Sequence, residues 1–76
     1  MLKEINKNDI ILKILTNKKC KKVQKNKTVT YEIDGLKISV HERVCDKIDN
    51  FIKLKRYKML SDFIDIYSSM FTTNFD

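Results

Sequence analysis

Between Thr28 and His41 the chain alternates. Val29, Tyr31 and Ile33 fall on one side of a two-residue period, and Thr28, Thr30 and Glu32 on the other. After Asp34-Gly35 the alternation resumes, with Leu36, Ile38 and Val40 against Lys37, Ser39 and His41. A period of two with one apolar side is the mark of a strand buried on one face. Asp-Gly between two such runs signals a two-residue hairpin, because a type I′ turn needs positive φ at both central positions. The pattern therefore predicts strands over 28–33 and 36–41 joined as a hairpin. The alternative is that Asp34-Gly35 only closes a loop, and the second strand pairs with another molecule.

Past His41 the period changes to that of a helix. Val44, Ile48, Phe51 and Ile52 form one stripe, with Asp46, Lys47, Asp49, Asn50 and Lys53 opposite, which predicts a helix from about Glu42 to Lys55. "KLKRYK" breaks the pattern. A second stripe follows through Leu60, Phe63, Ile64, Tyr67, Met70 and Phe71, and Asp62 near its start suits a helix N-terminus. The closing "TTNFD" has no period and reads as a frayed end. Upstream, "NDIILKILTNK" predicts a short helix over 9–18 capped by Asn8 or Asp9, although so Ile-rich a run also fits a buried strand. "KKCKKVQKNK", residues 18–27, reads as a loop or basic arm.

At 76 residues, 42% of them hydrophobic, the chain is long enough for one folded domain. So short a chain buries only about 60% of its unfolded surface, which leaves a marginal core. One Gly and no Pro favour helix. The charge is uneven. Residues 1–30 carry nine Lys against Glu4 and Asp9, a balance of +7; residues 31–76 carry seven Lys or Arg against eight Asp or Glu, a balance of −1. The two balances suggest a basic extension over 1–30 and a strand-helix-helix domain over 31–76. Basic runs of this kind commonly meet nucleic acid, or simply face solvent.

The remaining chemistry is sparse. Cys20 and Cys45 stand apart, and His41 with Cys45 gives too few ligands for zinc, so no metal site is expected. One His, no Gly-rich phosphate loop and no nucleophile-base set exclude an enzyme in this reading, and with it any cofactor. No secretory leader or membrane-length apolar run is seen, so a cytoplasmic, nucleoid-associated chain with reduced thiols and no membrane partner is expected. Abundant Lys, Ile and Asn fits an AT-rich genome such as that of a virus or plasmid.

The order strand, helix, short connection, helix over residues 36–71 resembles the ribbon-helix-helix DNA-binding regulators, the family of the Arc, MetJ and CopG repressors. The likeness rests on "LKISVHERVCDKIDNFIKLKRYKMLSDFIDIYSSMF", and within it on Ser61, Asp62, Phe63 and Ile64 after an aromatic and a few polar residues. Arg56 stands where that family usually has Gly, and Lys58 where it usually has a Ser or Thr cap. The resemblance implies a mainly α fold with a short β-ribbon, an intertwined homodimer whose ribbon takes one strand from each chain. The N-terminal helix and an extra strand over 28–33 would be added to it. The alternative fold is α+β with an intramolecular hairpin.

By the same resemblance the chain is a sequence-specific repressor of transcription that inserts its ribbon into the major groove of double-stranded DNA. Lys37, Ser39 and His41 would contact bases. The start of the second helix, at Lys58, Met59 and Leu60, would hold a phosphate. Leu36, Ile38, Val40, Ile48, Phe51, Phe63, Ile64 and Tyr67 would form the dimer core. Lys18, Lys19, Lys21, Lys22, Lys25 and Lys27 would supply sequence-independent phosphate contacts as a basic N-terminal arm. The competing expectation is a protein–protein interaction module, antitoxin-like or a phage or virus adaptor, that offers one apolar stripe to a protein partner. A winged-helix domain ranks behind both, because residues 1–27 supply barely one helix.

Overall fold

The computed structural model describes residues 6–74, in the order α1 (Lys7–Thr16), β1 (Lys21–Lys25), β2 (Thr28–Ile33), β3 (Leu36–His41), α2 (Glu42–Lys53), α3 (Tyr57–Ile66), a 3₁₀ turn (Ser68–Met70) and β4 (Thr72–Asn74). The hairpin at Asp34-Gly35 forms within the chain, pairing Thr28 with His41 through to Ile33 with Leu36. Both central residues have positive φ, 50° and 81°, as a type I′ turn requires.

The mainly α expectation is overturned. The architecture is α+β: a four-stranded antiparallel sheet in the order β1-β2-β3-β4, with three helices. The intertwined ribbon falls with it. β3 gives one edge to β2 along its whole length, and the other to β4 at Lys37, Ile38 and Ser39. A ribbon shared between two chains needs a free edge on this strand, and the chain's own tail occupies it. Residues 72–74 lack periodicity because three residues at an exposed sheet edge bury too little to show one.

The basic stretch also differs from expectation. Residues 21–25 form edge strand β1, and a two-residue turn at Asn26-Lys27 returns the chain into β2. Asn26 carries φ 57°, a left-handed conformation that Asn tolerates better than most residues. The 30/31 boundary suggested by charge thus falls inside β2. α1 starts earlier than expected, with the Asn6 side chain accepting from the Asn8 N–H at 2.8 Å.

All three helices serve the same side of the sheet. Val29 and Tyr31 of β2 and Ile38 and Val40 of β3 meet Ile11, Ile14 and Leu15 of α1, Val44, Cys45 and Ile48 of α2, Leu60 and Ile64 of α3, and Phe71. Four residues expected in a dimer core, Ile38, Val40, Ile48 and Ile64, are therefore buried inside a single chain. Leu36, Phe51 and Phe63 are partly buried at its margin, and Tyr67 is exposed. α2 and α3 join through a tight C-terminal cap. The Arg56 N–H reaches the Phe51 carbonyl at 2.8 Å, the Lys55 N–H reaches Ile52 at 3.0 Å, and Lys55 sits at φ 57°.

Candidate nucleic-acid interface

Among the described residues no helix covers the far side of the sheet. Cross-strand partners point the same way, so the register defines this face row by row. Lys21, Glu32, Lys37 and Asn74 form one row; Val23, Thr30, Ser39 and Thr72 the next; Lys25, Thr28 and His41 the third. Each is exposed or half-exposed, and Val23 is the one large apolar side chain among them. Among the described residues the face is thus polar and cationic on balance: Lys21, Lys25 and Lys37 share it with Glu32, and Asp34 of the β2–β3 turn lies beside Lys21 and Glu32 at one end. Lys27 lies at the tip of the β1–β2 hairpin, and Lys18 and Lys19 lead into β1; all three are exposed.

Spacing follows from strand geometry. Lys21 and Lys25 are four positions apart on one strand, about 13 Å, and Lys21 and Lys37 lie two strands apart, about 10 Å. Among the described residues one ion pair forms, Lys22 to Asp49 at 2.7 Å, so the other lysines of this region keep their charge for solvent or a ligand.

Lys22 belongs to the opposite face, as its odd place in the alternation dictates. Its ammonium is held above its ordinary pKa, first by the hydrogen bond to Asp49. It also lies 5.9 Å from the centroid of the Tyr31 ring. Nearby, the Tyr31 hydroxyl donates to Cys45 Sγ at 2.9 Å. Burial, followed by that contact with Cys45, pushes the Tyr31 phenol well above its usual value. Burial likewise raises both Cys45 and Cys20, so neither is an activated thiolate. This cluster ties β1 and β2 to α2. It anchors the basic strand and is not itself a reactive centre.

The three residues expected to read bases do share one face, but only part of their chemistry is free. The Ser39 hydroxyl is 3.0 Å from that of Thr30. His41 caps α2, its Nδ1 accepting from the Arg43 N–H at 3.1 Å. Lys37 is exposed. The expected phosphate site at the start of the second helix is on the helix side instead. Lys58 and Met59 are exposed there, while Leu60 is fully buried and its N–H bonds the Arg56 carbonyl at 3.0 Å. It therefore does not join the lysines of the open face. Periodicity could not bring Lys21 and Lys25 onto one face with Lys37, because "KKVQK" has no apolar alternation. Asn26, a residue that tolerates positive φ between two β-compatible runs, is the turn signal that could have done so.

Among the described residues, no group of three or more His, Cys, Asp or Glu side chains could hold a metal ion. No described helix is long and apolar enough to cross a membrane. Comparison with protein-family models, with curated proteins and with solved structures gave no match.

Proposed function

We propose that this chain binds double-stranded DNA by its phosphate backbones, using the open sheet face and the β1–β2 hairpin. The observation that carries this reading is the grid of Lys21, Lys25 and Lys37 on one uncovered face, extended by Lys27 at the hairpin tip. Its spacings, about 10–13 Å, match the scale of a groove about 12 Å wide, so lysines at its two ends suit phosphates on its two rims.

Two features favour this mode over others. Four strands span about 14 Å from first to last, more than the major groove admits, so the sheet lies across the backbones and does not insert. Among the described residues the face carries no aromatic side chain, and a single-strand binder needs them as stacking platforms. Base reading is correspondingly limited: with Lys37 in the phosphate grid, the outer nitrogen of His41 is the group left for it. Regulation of a particular gene would need more than that one contact to select sequence.

Fluorescence anisotropy on a short random-sequence duplex tests the proposal. With four phosphates neutralised, affinity falls about 100-fold between about 50 and 200 mM salt. The double substitution Lys21→Glu, Lys25→Glu lowers affinity more than about tenfold and flattens the salt slope by about two. No duplex binding at low salt, or binding indifferent to those changes, overturns it. Tighter binding to duplex RNA or to single strands would reassign the ligand.

A further inference from the structure

The helix layer carries a second, chemically different surface. Leu60 and Ile64 of α3 point into the core, yet Met59, Phe63 and Ile66, at i, i+4 and i+7, form another stripe. Tyr67 and Met70 prolong it into the following turn. Met59 is 48% exposed, Ile66 71%, Tyr67 42% and Met70 52%. Phe63 stacks against Phe51 of α2 at 5.7 Å and against Tyr67 at 4.8 Å, flooring a groove between α2 and α3. The exposed apolar area is on the order of 400 Å², the range in which a patch on a small protein usually has a use. It is also about the apolar share of the roughly 800 Å² that each partner gives a standard interface.

The charges beside this stripe are ordered. On the α2 side stand Arg43 and Lys47, which line the groove with Phe51 and Phe63. On the other side of α3, at helix positions turned away from Phe63, stand the exposed Asp62 and Asp65, the latter accepting from the Asn8 side-chain amide of α1 at 2.7 Å, with the exposed Lys58 one turn before Asp62. One flank is cationic and the other is acidic on balance, two carboxylates against one ammonium. A two-fold axis running along α3 brings the cationic flank of one chain against the anionic flank of its mate, on both sides at once. An axis across α3 would set like charge against like. The stripe is thus self-complementary in one orientation.

We propose that two copies of this chain associate through the α2–α3 face, with their α3 helices side by side and parallel. This dimer differs from an intertwined ribbon, since each chain folds completely before it pairs. It leaves both basic sheet faces outward, and it does not depend on what those faces bind. A small chain with a marginal core also gains from such burial.

Sedimentation velocity of the full chain, over a concentration series, tests it. Wild type shows a reversible monomer–dimer equilibrium, and Ile66→Asp shifts it towards monomer. Lys47→Glu and Asp62→Lys, both exposed positions, each weaken self-association by about tenfold or more. A mixture of the two variants recovers the heterodimer, because the carboxylate introduced at position 47 then faces the ammonium introduced at position 62, while the native Asp62 of the one chain faces the native Lys47 of the other. That recovery also proves both variants folded. A wild type that stays monomeric throughout, whatever else binds the groove, overturns the proposal. So does a dimer indifferent to Ile66→Asp, or a mixture that fails to associate.

Discussion

Residue positions decide how far the basic surface can be trusted to stay in place. Tyr31, Cys45, Asp49 and Lys22 form a chain of contacts from β2 through α2 to β1, and this holds the edge strand against the helices. Burial raises the two thiols and the phenol, and the bond to Asp49 raises the ammonium. Each group therefore keeps its proton more tightly folded than unfolded. The stability they contribute is complete below the unfolded-state values, about 8.5 for a thiol and about 10 for a phenol or ammonium, begins to fall above them, and is lost as pH rises through the higher folded-state values. The share of Lys22 is small, because the pair is nearly half exposed. Urea unfolding accordingly gives a lower midpoint at pH 10 than at pH 7, and removing the thiols narrows the gap. Equal midpoints would mean that these contacts contribute nothing.

At the scale of elements, the legible parts of the sequence were those whose burial has a period. The hairpin at Asp34-Gly35 and both C-terminal helices could be placed from apolar spacing and one turn dipeptide, because Val29, Tyr31, Ile38, Val40, Val44, Ile48, Leu60 and Ile64 do face one core. β1 and β4 were missed for the opposite reason. They are edge strands in which no residue is buried, so backbone hydrogen bonds define them and side chains give no pattern. The consequence was large, since β4 on the edge of β3 is what removes the shared ribbon and β1 is what gathers the candidate site. The end of α3 shows the converse limit: periodicity put Tyr67 and Met70 with the core, yet they lie outside it because the α-helix stops at Ile66 and a 3₁₀ turn over Ser68–Met70 breaks the 3.6-residue period. The α2–α3 turn offers a direct test of local strain. Lys55 occupies the left-handed C′ position of a Schellman cap, where Gly is at ease and an L side chain costs about 1 kcal/mol. Lys55→Gly raises the melting temperature by about 4–8 °C. A lower value would mean that the Lys55 side chain contributes more than its backbone costs.

For the whole molecule, the three helices all lie on one side of the sheet, and this separates two surfaces. The helices bury one face and leave an apolar groove on their own outer side. The uncovered face collects cationic residues from strands that are far apart in sequence. The charge asymmetry that looked like a loose basic arm is thus mounted on a sheet, with Lys21 and Lys25 fixed opposite β2 and in line with Lys37 and His41. A mounted grid pays little ordering entropy on binding, unlike a flexible arm. The central claim is that this grid meets duplex phosphates, and titration of isotope-labelled protein with a short duplex, followed by amide chemical shifts, tests it most directly. The account predicts shifts confined to β1, to the turn at Asn26-Lys27, and to Lys37, Ser39 and His41 of β3, with α3 unmoved. Shifts concentrated on α2 and α3, or none at low salt, would contradict it.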